Sequence, residues 1–180
     1  KLSTERTGFA MPEIGVGLFP DVGFTSYINK LPKGVAKFLM LTAIKINAAD
    51  TQAIGLTDYF LHSSEKQEFD KKLSEINWMK DSFSNVQLIS SLLESLEQKE
   101  GFGLESEIKP RLKQIESLMD GSSLQEVSNN LLNVKTDDSW LQKAARGLKR
   151  GSPTSAFIIW DQCVRAEELN LKGVFQYELD

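Results

Sequence analysis

The sequence predicts an α/β chain, mostly helical with a few short strands. Three observations point there. Residues 63–135 repeat apolar side chains at helical spacing. Residues 8–27 and 55–62 instead set short apolar runs among glycines and prolines, the punctuation of strand ends and tight turns. Capping residues (Ser123, Asp138 or Ser139, Ser152) stand directly before three of the apolar helical runs. With 41% apolar and 26% charged residues, 180 residues suffice for a domain with a real core.

The elements follow in order. Phe9-Ala10-Met11 reads as the end of a buried strand that Pro12 stops. Pro12 also biases Met11 toward extended geometry, which places Glu13 just past the strand end. Phe19 to Gly23 reads as a turn into a helix over 22–30, with Asp21 as its cap or in its first turn. A helix over 34–43 carries Val35, Phe38, Leu39 and Leu41. A short helix over 48–54 stops at Gly55, and 56–61 is the next strand. Amphipathic helices are expected over 68–76, 85–97, 107–118 (Pro110 in its first turn) and 124–132, where Ser123 and Glu126 form a capping box. Residues 136–180 read as two helices, 140–149 and one starting at Pro153 behind Ser152. Lys99-Glu100-Gly101-Phe102-Gly103 is the most loop-like segment, and no repeat or low-complexity stretch is present.

Residues 8–27 carry the chemistry. Glu13 and Asp21 lie eight positions apart, separated by Ile14, Val16, Leu18, Phe19 and three glycines or prolines. Carboxylates rarely sit in such company unless paired, hydrogen-bonded or used. Gly15 and Gly17 let a ligand or chain approach closely. At a helix start the dipole favours the charged form of Asp21, which leaves Glu13 as the candidate acid or base. The plain alternative is that Asp21 only caps a helix and Glu13 is a surface loop residue.

Composition excludes several classes. A net charge of −4 offers nucleic acid no basic field. The single cysteine, Cys163, excludes an internal disulfide and a thiolate zinc cluster, and reads as a small core residue. The single histidine, His62, reads as a surface residue after a strand, and no Gly-x-Ser-x-Gly accompanies it. No His/Asp/Glu set has metal spacing, and no apolar run is long enough to cross a bilayer. Trp78, Trp140 and Trp160 are expected as core anchors of helices. The acidic pairs Glu94–Glu97 and Glu167–Glu168 are expected as solvated faces.

Phe-Ala-Met-Pro-Glu followed by Gly-Leu-Phe-Pro-Asp-Val-Gly resembles the 3-hydroxyisobutyryl-CoA hydrolases, a branch of the crotonase (enoyl-CoA hydratase/isomerase) superfamily. Asn47-Ala48-Ala49-Asp50, Ile54-Gly55-Leu56-Thr57-Asp58, Ser123–Val127 and Lys149–Ser155 are similar to later landmarks of that branch. The resemblance implies the C-terminal part of a crotonase-like fold. Residues 1–62 would be the latter part of the core with the acidic site, and 63–180 a helical C-terminal region. The N-terminal half, with its oxyanion donors, would lie in a longer parent protein, and this chain alone would be inactive.

The implied reaction is hydrolysis of a short 3-hydroxyacyl-CoA thioester in valine catabolism. Glu13 would be the nucleophile or the base that activates water, and Asp21 would orient the substrate hydroxyl or the water. Phe19, Gly17 and Phe24 would line the acyl pocket. Coenzyme A is part of the substrate, so no separate cofactor is implied. Lys30, Lys33, Lys37 and Lys45 read as a solvated face, with a CoA phosphate as their alternative partner. Phe24-Thr25 replaces the family's usual Gly-Gly, which bears on acyl preference. An enoyl-CoA hydratase or isomerase is the second reading; Asp21 argues against it, because hydratases typically lack a carboxylate there. A non-catalytic helical interaction module is the third. Homo-oligomerisation stays open, neither nucleic acid nor membrane is an expected partner, and the expected compartment is a bacterial cytoplasm, or the mitochondrial matrix in a eukaryote.

Overall fold

In the computed structural model of the chain the described residues are 1–97, 103–166 and 168–179, the side chains of 28 and 29 excepted. Most of the loop-like segment 99–103 and Glu167 of the second acidic pair therefore lie outside them. The first elements in chain order are β1 (Leu2–Ser3), β2 (Gly8–Phe9), α1 (Glu13–Val16), a 3-10 helix (Phe24–Lys30), α2 (Val35–Thr42) and β3 (Ile46–Asn47). Then come α3 (Ala48–Ala53), β4 (Tyr59–Phe60), α4 (Lys66–Ser74), α5 (Ser82–Leu96) and α6 (Leu112–Met119). The last are α7 (Leu124–Leu132), α8 (Ser139–Arg150), α9 (Pro153–Arg165) and α10 (Leu171–Leu179). The chain forms two compact units, one of residues 1–8 with 47–106, the other of 9–46 with 107–180.

In the first unit β1 pairs parallel with β4, Leu2 opposite Tyr59 and Ser3 opposite Phe60. α3 starts on a reciprocal cap. The Asn47 side chain accepts from the Asp50 N–H at 3.0 Å, and the Asp50 carboxylate accepts from the Asn47 N–H at 3.0 Å. Asp50 is fully buried, and its other oxygen accepts from the Ser106 hydroxyl at 2.7 Å, so this carboxylate is spent on structure. α5 starts on Asp81, which accepts from the Ser84 N–H at 2.8 Å. Trp78 overturns its expectation. It lies between α4 and α5 rather than on a helix, and it is 52% exposed.

The second unit is built around α2. Every residue of α2 but Lys37 is buried, so the burial extends beyond the Val35, Phe38, Leu39 and Leu41 that the helical spacing singles out. α1, α6, α8 and α9 pack on it. Burying Phe38, Leu39, Met40 and Leu41 contributes about 1.5–3 kcal/mol each. α8 approaches α2 at Gly147, where a Cβ would stand 1.9 Å from the Thr42 carbonyl oxygen. Trp140 stacks on Phe38 with ring centroids 5.5 Å apart, and the Arg111 guanidinium lies over the Trp140 ring at 5.3 Å from its centroid.

The caps fall where the sequence puts them, with one adjustment. Ser123 accepts from the Glu126 N–H at 3.2 Å, but the Glu126 carboxylate reaches back to the Ser122 N–H at 2.9 Å, one residue earlier than a capping box requires. Asp138 caps α8 by accepting from Trp140 and Leu141, and Ser152 caps α9 by accepting from Ser155. Cys163 is buried in α9. α10 is a third helix in a region expected to hold two.

Candidate active site

Two expectations for residues 8–27 are corrected by the backbone. Glu13 does not follow a strand end directly. It is the first residue of α1, a single turn behind Pro12, with the Gly15 N–H bonded to the Pro12 carbonyl at 2.9 Å. The helix expected over 22–30 is a 3-10 helix that begins at Phe24. Val22 and Gly23 both have positive φ, 51° and 83°, which no α-helix accommodates. Asp21 is exposed. Its carbonyl accepts from the Phe24 N–H at 3.1 Å, and among the described residues its carboxylate caps nothing.

α1 places Glu13 by burying its neighbour. Ile14 is 1% exposed, its carbonyl accepts from the Ser152 N–H at 2.8 Å, and its side chain lies where a Cβ on Gly151 would stand 2.7 Å away. Gly17 ends the turn at φ +80°, and the Leu18 N–H returns to the Glu13 carbonyl at 3.0 Å. Glu13 Oε2 has no exposed surface and no hydrogen-bond partner among the described residues. Leaving a buried polar atom unmade costs about 1–3 kcal/mol, more for a charged group. Thr25 Oγ1 and Gln162 Oε1 are the other buried side-chain atoms without a hydrogen-bond partner among the described residues, and of the three only Glu13 Oε2 belongs to a carboxyl group.

The far end of the loop is anchored to the same helix. Gln162 Nε2 of α9 donates to the Pro20 carbonyl at 2.6 Å. Ser152 and Gln162 are ten residues apart, roughly 15 Å along an α-helix. The loop is thus pinned beside Glu13 and again beside Asp21. No hydrogen bond links the two carboxylates among the described residues, so the structure places them on one loop with separate anchors.

The expected pocket residues have defined places. Gly17 is the left-handed end of α1, and Phe19 is half-buried. Phe24 stacks between Phe9 and Tyr27 with centroids 6.1 and 6.2 Å apart. Val16, Leu18 and Val22 are 69%, 60% and 81% exposed, so the loop presents an apolar rim around its two acids. Of the four lysines expected on a solvated face, Lys45 is exposed and the other three make surface contacts. Lys33 pairs with Glu116 and Asp120 at 3.4 and 3.6 Å, Lys37 lies over Trp160, and Lys30 over Tyr27. His62 bonds Ser64 after β4.

Sequence reasoning missed Gln162 and Glu178. Glu178 accepts from the Gly23 N–H at 2.6 Å and the Thr25 N–H at 3.3 Å. Nothing local marks either residue, because both act across more than 140 positions of chain.

A family model described as enoyl-CoA hydratase/isomerase matches residues 1–180. The chain belongs to the enoyl-CoA hydratase/isomerase family. A mitochondrial 3-hydroxyisobutyryl-CoA hydrolase of Danio rerio is 30% identical over 180 residues, 99% of this chain and 45% of that protein. 3-Hydroxyisobutyryl-CoA hydrolase 1 of Arabidopsis thaliana is 30% identical over 160 residues, 88% of this chain and 41% of that protein. The chain thus spans less than half the length of these relatives. The crystal structure of a carnitinyl-CoA dehydratase from Mycobacterium thermoresistibile superposes with a TM-score of 0.80 at 21% identity, over 99% of this chain and 48% of that one. The fold is therefore the C-terminal part of a crotonase-like fold, as the resemblance implied. Among the described residues no helix is long and apolar enough to cross a membrane.

Proposed function

We propose that the protein to which this chain belongs hydrolyses a short 3-hydroxyacyl-CoA thioester, with 3-hydroxyisobutyryl-CoA as the substrate, in valine catabolism. The observation that carries the reading is the buried, unpartnered Oε2 of Glu13 on a turn whose glycines leave space. A Cβ at Gly15 or Gly17 would meet nothing within 4 Å. The names of the curated relatives favour hydrolysis over hydration, and so does a carboxylate at Asp21.

The chemistry needs a carboxylate close to the thioester carbonyl. Glu13 either attacks that carbon itself or takes a proton from the water that does. In the first case a mixed anhydride forms, the CoA thiolate leaves with the C–S electron pair, and water then cleaves the anhydride. In the second, hydroxide adds directly and the same thiolate leaves. Asp21 orients the substrate hydroxyl or the water. Gly17, Phe19 and the stacked Phe24 form the acyl wall, and the rim of Val16, Leu18 and Val22 meets apolar parts of the substrate or of the rest of the protein. For a eukaryotic parent the mitochondrial names of several relatives suggest the matrix.

The test supplies the full-length parent protein with 3-hydroxyisobutyryl-CoA and follows free thiol. Release of CoA supports the reading. Hydration of crotonyl-CoA without thiol release would replace it with a hydratase.

A further inference from the structure

We infer that Glu178, on α10, is a positioning residue for Asp21; the inference rests on the role proposed above for Asp21. Among the described residues the Asp21 carboxylate has no partner, so the backbone of the turn that follows decides where it points. That turn is strained. Val22 at φ 51° puts a β-branched residue in the left-handed region, where its Cβ crowds the backbone, and Gly23 follows at φ 83°. Such conformations persist only where the surroundings over-determine them.

α10 supplies the determination. The Glu178 carboxylate spans the turn with one oxygen on each of two N–H groups, Gly23 at 2.6 Å and Thr25 at 3.3 Å. Charge-assisted bonds of this kind are about twice as strong as neutral ones. Phe175, three residues earlier on α10, closes the turn from the side, and a Cβ on Gly23 would stand 2.8 Å from its Cζ. The Ser26 hydroxyl donates to the Gly23 carbonyl at 2.8 Å. Glu178 and Phe175 thus fix the two residues that join Asp21 to the 3-10 helix. Neither touches the proposed reacting atoms.

The test is a double-mutant cycle in the full-length protein, read as CoA release from 3-hydroxyisobutyryl-CoA with melting temperature measured alongside. Glu178→Gln keeps the side-chain shape but gives up one acceptor and the charge. It is expected to lower kcat by roughly tenfold, since misplacement of a site group by about 1 Å can cost up to a hundredfold. In an Asp21→Asn background the same substitution is expected to change kcat less than about twofold, because its effect has already been removed. Gly23→Ala, which forces Phe175 aside, is expected to repeat the pattern. Equal losses in both backgrounds, or a lower melting temperature with kcat intact, overturn the positioning role while leaving Asp21's role standing. If Asp21→Asn alone leaves kcat unchanged, both fail together.

Discussion

Gln162 reaches from the buried face of α9 to the Pro20 carbonyl at 2.6 Å, and its side chain has no exposed surface. This one bond fixes the approach to Asp21. Replacing Gln162 by Met keeps the volume and strands the Pro20 carbonyl. It also removes Gln162 Oε1, which has no partner among the described residues and offsets part of the loss. The expected destabilisation is therefore near the low end of the usual range, about 1 kcal/mol, read from the urea midpoint at unchanged slope. A shift too small to resolve would mean that the loop does not depend on this anchor.

Gly147 is expected to be the least tolerant glycine of the second unit. A methyl group there meets the Thr42 carbonyl at 1.9 Å, against backbone that no rotamer change can move. Gly147→Ala should force α8 away from α2 and cost about 3 kcal/mol or more. Gly55→Ala is the contrast. Nothing lies within 4 Å, and only the φ of +76° opposes it, so a loss of about 1–2 kcal/mol is expected. Chemical denaturation of the two variants ranks them, and the reverse order would contradict the packing described for α2.

Acid sensitivity of the first unit should run through Glu5. The Ser63 hydroxyl donates to its carboxylate and the Ser63 N–H bonds the other oxygen at 2.8 Å. Hydrogen bonding to Ser63 is the chief cause that lowers its pKa from 4.5 to about 2. A depressed folded-state pKa gives stability that is present above 4.5 and is lost as pH falls from there toward about 2. Glu5→Gln should be less stable than the parent at pH 6, and the difference should vanish by about pH 2. A constant difference across that window would remove Glu5 from the account.

The parts legible in the sequence are those governed by local chemistry. Ser123, Asp138 and Ser152 mark helix starts because a side-chain oxygen beside free N–H groups acts within three residues. α2 is legible because Val35, Phe38, Leu39 and Leu41 recur at helical spacing in a run interrupted only by Lys37 before Thr42. The positive φ values at Val22 and Gly23 were not, because valine rarely adopts them. They depend on Glu178, 155 positions away from Gly23. α10 escaped because only Val174 is buried on it and no stripe marks its face. Trp78 misled because size suggests a core anchor, and burial depends on neighbours that sequence spacing does not name. In the site, the residue types were readable from the glycine- and proline-rich setting of Glu13 and Asp21. The separate anchoring of the two acids on α9 was not.

The central claim is that Glu13 acts on the thioester. The direct measurement is single-turnover CoA release from 3-hydroxyisobutyryl-CoA by the full-length protein carrying Glu13→Gln, which keeps the shape of α1 and its contacts through Ile14. The expected result is a fall in the rate of at least about a hundredfold with substrate affinity within a few-fold of the parent. A rate within about twofold of the parent, in a protein that still binds substrate, would contradict it.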